Sequence, residues 1–480
     1  LTTRHDGELE PGEGGTTVAT TEQDAQSAMI SGTIQLSDNG ESRLRFSATR
    51  WHTFGEQVPY SVTRNLGVFG FVDREITDDT YQVTWENPAS DNPWLDARVQ
   101  LSWSSTATEQ RNASAPIPSA LFDDSDYAYE TLRLDMRNTV EMAGENWQNF
   151  LTFGATLSHL ERVATNISGS GNMLTFHAAG ETDTQALYLQ NEFVLNDRLT
   201  LLAALRYDRS ESVAVGNIDP AAIGIPVSHS GTSASFAAQY QINDQWAVFG
   251  SVADTARLPS IDELFSYQAP RFSSYGTLRP EKALSYEVGF SWQGRDLFVG
   301  GDGLDLKVTA FRNEITDRIA ISAAGPNPQY SNIAQSTIEG VEIEAGYESE
   351  RWFGRVAGSY IDGVDDATGD VLTSTPAPQL MVELGHRLPA YDLELGLRGT
   401  FTSTMEYSAV TVPAASIYDL YLNWRPQNGV LRGTTVQFGV HNVTDELYYN
   451  ALDVAANGYA GAYPQRGRDF RLTLSRTFTF

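Results

Sequence analysis

Residues 391–401 read YDLELGLRGTF, and apolar and polar side chains alternate along them. Tyr391, Leu393, Leu395, Leu397 and Phe401 fall on one side of an extended chain, and Asp392, Glu394, Arg398 and Thr400 on the other, because successive side chains of a strand point to opposite faces. One face suits hydrocarbon and the other a wet interior. The device recurs at 199–208, where Leu199, Leu201, Ala203, Leu205 and Tyr207 oppose Thr200, Arg206 and Asp208. It recurs again at 304–309, where Asp305 and Lys307 separate Leu304, Leu306 and Val308.

A soluble sandwich also alternates, so the connections must separate the two. Short links at 37–41, 143–146, 196–198, 243–245, 348–351 and 388–391 are rich in Asn, Asp, Gly, Pro or charge, as hairpin turns require. Long links at 54–77, 112–126, 163–182, 211–231, 257–282 and 443–468 alternate with them. Turns at one rim and loops at the other mark a membrane barrel, whereas a sandwich scatters loop lengths over both ends. Segments with a period of two number roughly nineteen, from near Gln23 to Phe480. Bacterial single-chain barrels close with an even number, so an odd count predicts that a strand has been missed or lies outside the sequence. The expected fold is all-β, a large antiparallel transmembrane β-barrel.

The 480 residues carry 32 basic and 61 acidic side chains, 32 − 61 = −29 at pH 7. Nucleic acid is a poor partner for such a chain, since phosphate backbones are bound by clustered Lys and Arg. The absence of cysteine excludes thiol catalysis, thiolate metal sites and disulfides. No run of about 18 apolar residues predicts a membrane helix, but barrel strands never make such a run. Leu1 is neither an initiator Met nor the start of a signal peptide, so the expectation is a beginning that has been processed away or lies upstream. Phe470, Leu472, Leu474, Phe478 and Phe480 share one face of an expected last strand.

Four segments stand out: NPASDNPWLD at 87–96, ARLPSIDELF at 256–265, YGTLRPEKALSYEVGF at 275–290, and Asn442-Val443-Thr444-Asp445 with Tyr448, Tyr449 and residues 464–468. Together they resemble TonB-dependent outer-membrane receptors, and more narrowly their haem and haemoglobin receptor branch. The second resembles the branch's Phe-Arg-Ala-Pro box and the third its Asn-Pro-Asn-Leu box, which places the motif on Pro259, Glu263, Leu278, Pro280 and Glu281. The resemblance implies an N-terminal plug inside a barrel of about 22 strands, of which about 19 are visible. Residues 1–480 would be the C-terminal part of that barrel, with 1–20 an early extracellular loop and the plug and first strands not in the sequence.

The function so implied is active uptake of haem or another iron complex across the bacterial outer membrane, in which the protein is multi-pass and surrounded by lipid. A siderophore or other small-nutrient receptor, and a passive or structural barrel, are the alternatives. Partners would be an extracellular ligand or haem-carrying protein and, through the plug, the TonB-ExbB-ExbD energy-transducing complex. Haem or a ferric complex would be cargo, with no permanent cofactor, no resident metal and no catalysis. No His-Glu-x-x-His, Gly-x-Ser-x-Gly or P-loop pattern occurs.

The branch places a haem-ligating histidine between its two boxes, and here the residues between Pro259 and Leu278, SIDELFSYQAPRFSSYGT, contain none. Candidate ligand residues are therefore His177 and His229 in predicted external loops, and Tyr267 and Tyr275, which could bind ferric haem as tyrosinates. Arg257 could contact ligand directly, or could join Glu263, Arg279 and Glu281 in an ion-paired rim that orders the loop. GGDGLDL at 300–306 matches one calcium-binding β-helix unit, yet a lone copy reads as a glycine-rich turn. Asp362, Asp365, Asp366 and Asp370 lack EF-hand spacing and read as a solvated loop.

Overall fold

The computed structural model describes residues 2–5, 10–15, 23–60, 70–114, 124–166, 179–216, 222–265, 276–322 and 329–477. Among the described residues, twenty strands form one antiparallel sheet in chain order. A separate hairpin, Met405–Tyr407 with Val410–Val412, is inserted between the strands Leu393–Thr402 and Ala415–Trp424, which pair with each other. The count in the main sheet is even. The strand absent from the sequence reading is Thr2–His5, paired with residues 23–26, so the 1–20 segment is not wholly a loop. Its sequence, TTRH, has no apolar side chain and hence no alternation to read.

Register fixes the two faces of the wall. Leu384, Leu397 and Leu420 are cross-strand partners, 56 %, 45 % and 45 % exposed. One residue along, Glu383, Arg398 and Asp419 are partners on the other face. There Arg398 donates to Glu383 at 3.0 Å, and the Tyr421 hydroxyl donates to the same carboxylate. Rows of uncovered leucine in water would drive aggregation. Facing hydrocarbon they are matched, while the ladder satisfies every backbone group between strands.

Trp147, Trp246 and Trp352 each open a strand at the short-turn rim, and Trp424 closes one there. Trp147 stacks on Phe193 at 6.2 Å, Trp246 lies 5.7 Å from Phe290, and Trp352 lies 4.2 Å from His386. This is an aromatic girdle at a membrane surface. Crossing hydrocarbon takes only about 10 tilted residues, yet the strand Trp147–Asn166 has 20. Measured from the girdle, the surplus projects beyond the far membrane surface.

That projection corrects three loop boundaries. Paired strands run to Pro59, Asn166 and Gly216 and resume at Phe71, Ala179 and Val227, so the loops expected at 54–77, 163–182 and 211–231 are shorter. Outside the membrane both faces of a strand are wet, and the sequence alternation fades while the hydrogen-bond ladder continues. The short links behave as read: Asn196 and Asp197, at φ 51° and 54°, make a two-residue turn of the kind that matches strand twist.

The glycine-rich turn at 296–302 is built on Asp302, 1 % exposed. Its carboxylate accepts from the N–H groups of Leu297, Phe298 and Val299 at 2.6, 2.9 and 3.0 Å and from the Tyr347 hydroxyl at 3.0 Å. Burial pushes this carboxyl up, but the backbone donors and Tyr347 outweigh it, and its pKa lies below the ordinary carboxylate value. A depressed folded-state pKa gives stabilisation that is present above the unfolded carboxylate pKa and is lost as pH falls through the folded one. Asp302→Asn is therefore expected to lower the urea midpoint at pH 7 and to flatten its fall on acidification; parallel acid profiles for the two proteins would contradict this role.

Candidate functional site

At the long-loop mouth the chain turns inward after the strand Trp246–Arg257. Ser260 starts the short helix Ile261–Phe265 with a reciprocal cap. Its N–H donates to Glu263 Oε2 at 2.8 Å, and the Glu263 N–H donates back to Ser260 Oγ at 3.4 Å. Ile261, Leu264 and Phe265 are buried with Ala214, Ala222, Leu278 and Ile319. Ala214 shares the face of Arg206 and Asp208, opposite Leu205 and Tyr207, so the helix packs against the lumen side of the wall.

Two sets of polar contacts hold it there. Asp262 accepts from the Tyr129 hydroxyl and from Arg162 Nη1. The Arg162 side chain is 4 % exposed and its guanidinium lies 4.9 Å from the centre of the Tyr129 ring. On the other flank Arg257 donates to both oxygens of Glu263 at 2.9 and 3.0 Å and to Glu281 at 2.8 Å. Glu281 also accepts from the Ile319 N–H at 2.8 Å. Beyond the helix, Arg279 pairs with Asp317, and its N–H donates to Asn332 Oδ1 at 2.8 Å.

Of the residues singled out from sequence, Pro259, Leu278 and the carboxylates Glu263 and Glu281 meet around this helix, with Pro259 and Leu278 buried. Arg257 has its two terminal nitrogens on carboxylates, so the ion-paired rim is what stands there. His229 lies on the strand Val227–Gln241 rather than in a loop, because pairing with the preceding strand continues out to Val227 and Ser212. Its Nε2 is 2.9 Å from the Leu278 carbonyl oxygen, while Nδ1 is buried without a hydrogen-bond partner among the described residues. That places it as a prop for the loop. His177, Tyr267 and Tyr275 lie outside the described residues. Asp262, Arg162 and Tyr129 were missed by sequence reading, since a lone charge on a lumen face looks like any other.

A second ordered cluster caps the neighbouring part of the mouth. The hairpin at 405–412 and the helix Ala451–Gly461 bury Tyr407, Val412, Val454 and Ala462 together, with Val371 against them. Asn442, 2 % exposed, donates to the carbonyls of Glu446 and Arg466 at 2.9 and 3.3 Å and accepts from the Glu446 N–H at 2.9 Å. Its motif thus folds the last long loop. Tyr448 and Tyr459 are raised above the ordinary phenol value, chiefly by burial, and the Tyr459 hydroxyl donates to the Thr411 carbonyl at 3.0 Å. Across this loop lies the segment after the first strand: Glu13 N–H donates to the Asp445 carbonyl at 2.7 Å, and Gly467 N–H to that of Glu10 at 2.8 Å. A side chain at Gly12 would meet the Glu446 backbone at 2.2 Å, which is why glycine stands there.

Residues 25–443 match the family described as TonB dependent receptor-like, beta-barrel. TonB-dependent heme receptor A of Haemophilus influenzae is 24 % identical over 466 residues, which cover 84 % of this chain and 61 % of that protein. The chain thus spans about six tenths of that relative's length. Among solved structures, a double mutant of the Serratia marcescens hemophore receptor HasR, in complex with its hemophore HasA and heme, superposes with a TM-score of 0.78 at 16 % identity, over 99 % of this chain and 75 % of that one. The FrpB iron transporter from Neisseria meningitidis gives 0.79 at 17 % identity, over 98 % and 75 %. These two likenesses concern the fold. The family match runs from the second strand to the start of the last long loop, and on it the chain belongs to the TonB-dependent receptor β-barrels.

Proposed function

We propose that these residues form the barrel wall of an outer-membrane receptor that actively imports haem or another iron complex. The observation that carries this reading is the inward-tied helix Ile261–Phe265 at the mouth, built from the motif residues and held by Asp262 on Arg162 and Tyr129. The helix itself stands at the lumen entrance, where arriving cargo must pass. The relatedness to a heme receptor over most of the chain supports haem as the cargo. Tyr267, Tyr275 and His177 are the proposed iron ligands, and His229 positions the loop through Leu278. Energy would reach the barrel through a plug domain engaged by the TonB-ExbB-ExbD complex, and the extracellular partner would be free ligand or a haem-carrying protein. The proposed work is transport, so no bond of the cargo needs to be made or broken.

The test is growth on haem as sole iron source, using the complete receptor in a bacterial host stripped of its own haem receptors. Growth that disappears when TonB is deleted is expected, as is a Soret shift on haem binding that Tyr275→Phe or His177→Ala alters. No growth on haem, together with growth on a ferric siderophore, would move the cargo to the siderophore class. Growth on haem that ignores TonB would contradict active uptake.

A further inference from the structure

On the outside of the wall, at the long-loop edge of the membrane, one arginine stands open. Leu157, Gln185, Arg209 and Ser230 are successive cross-strand partners. Their row lies one step beyond Leu187 and Tyr207, which are 65 % and 46 % exposed on the lipid face. Trp147, Leu195 and Leu199 are partners in the girdle row, and about 10 tilted residues from there cross the hydrocarbon, which brings Leu157 and Arg209 to its outer surface. The next row outward is His159, Asp183, Glu211 and Ser228. That row is closed on itself: His159 Nδ1 lies 2.8 Å from Asp183 Oδ1, and Glu211 accepts from the Ser228 hydroxyl at 3.1 Å. The Arg209 guanidinium, the Gln185 amide and the Ser230 hydroxyl have no hydrogen-bond or ion-pair partner among the described residues.

Spacing does not explain the open arginine. Glu109 and Arg111, Arg133 and Asp135, Arg206 and Asp208, Arg312 and Glu314, and Asp469 and Arg471 each lie two residues apart on one face of a strand, and each makes an ion pair at 2.6 to 3.0 Å. Arg209 and Glu211 have the same spacing and face without the contact, since Glu211 takes Ser228 instead. Beside them a hollow of about 670 Å³ is lined by Leu132, Leu134 and Leu157 on its membrane side and by Gln185, Arg209 and Glu211 on its outer side. This face turns away from the lumen, and the strands that carry it are paired along both edges, so lipid is what meets it. A guanidinium takes two phosphate oxygens at once, and amide and hydroxyl groups donate further. Carboxylates one row outward repel a second anion and attract a cation. From the hydrocarbon outward the surface therefore offers apolar contact, then donors for an anion, then acceptors for a cation.

We propose that this surface is a site for a membrane lipid whose head group is a phosphoethanolamine. Arg209, Gln185 and Ser230 bind the phosphate, Glu211 with Asp183 beside it binds the ammonium, and an acyl chain lies along Leu132, Leu134 and Leu157. The site rests on the two faces of the membrane wall and is independent of the cargo.

Native mass spectrometry of the complete receptor in detergent, titrated with dioleoylphosphatidylethanolamine or with phosphatidylglycerol of the same chains, tests it. A saturable adduct of phosphatidylethanolamine is expected, weakened about tenfold or more by Arg209→Gln as the charge-assisted contact to phosphate is lost. Glu211→Gln is expected to remove the preference over phosphatidylglycerol, whose head group carries no ammonium. Arg50→Gln is the control: Arg50 is an outward-facing arginine already closed on Asp79 at 2.7 Å, and its loss should leave lipid affinity unchanged. Heat-modifiable gel mobility checks that each variant keeps the folded barrel. Uptake that never saturates, equal affinity in Arg209→Gln, a wild-type preference for phosphatidylglycerol, a preference that survives Glu211→Gln, or an equal loss in Arg50→Gln would each overturn the site.

Discussion

Phe236→Arg is expected to stop the chain from assembling in the outer membrane, while Ser235→Arg, its neighbour on the same strand, leaves assembly intact. Phe236 is 46 % exposed on the apolar face, opposite Ala203 and Val252. It lies about midway between the girdle and the outer membrane surface. Arginine at the midplane of a barrel's lipid face costs about 2–4 kcal/mol, a large part of the margin by which folded proteins are stable. Ser235 points into the lumen between Ala204 and Ala253, where there is room for a longer side chain and water to solvate it. Heat-modifiable mobility of protein from outer-membrane fractions reads the difference. Equal yields of the two variants would contradict the assignment of faces.

Asp262→Ala is expected to release the mouth helix without unfolding the wall. The substitution removes the carboxylate beside Arg162, whose side chain is 4 % exposed, and leaves the Tyr129 hydroxyl without that acceptor. The Asp262 side chain is 32 % exposed, so the loss is smaller than the roughly 3–5 kcal/mol of breaking a fully buried ion pair from one side. The loss falls on a helix of five residues, while the strands behind it keep their ladder, so the response is local opening. Limited proteolysis should then cut within 258–280 at least several-fold faster, ligand binding should fall, and heat-modifiable mobility should not change. Asp262→Glu, which keeps the charge, should recover part of the protection. Unchanged cleavage in the alanine variant would mean that the helix is held by its apolar side chains alone.

How far the sequence reaches depends on what each residue faces. Inside the membrane, hydrocarbon on one side and water on the other force the period of two, and the row Leu393, Leu395, Leu397 against Glu394 and Arg398 is legible for that reason. Above the membrane nothing enforces it. The strand ends reaching Pro59, Asn166 and Gly216 therefore read as loop, and TTRH at the start reads as nothing at all. The turns were legible because Asn, Asp and Gly carry the positive φ that hairpins need, as at Asn196, Asp197 and Gly301.

The motif at 256–265 pointed to the right loop but not to its fold. Ser260 and Glu263 form a capping box that is visible in sequence, whereas Asp262 finds Tyr129 and Arg162 more than a hundred and about a hundred residues away. Such partners follow from the curvature of the wall. His229 was placed a few residues wrong for the same reason as the loop ends, and its buried Nδ1 marks it as part of the packing.

The chain has no cysteine, which permits the most direct test of the two-faced membrane wall. Single cysteines at 393–398, introduced in turn and labelled in outer-membrane vesicles, report which side chains meet water and which meet lipid. The account predicts alternation: positions 394 and 398 react with a charged, water-soluble maleimide once the lumen is open. Positions 393, 395 and 397 resist it and, carrying a fluorophore, are quenched by bromine or nitroxide on lipid chains. Uniform reaction with the water-soluble reagent along the segment, with no quenching from lipid at any position, would contradict it.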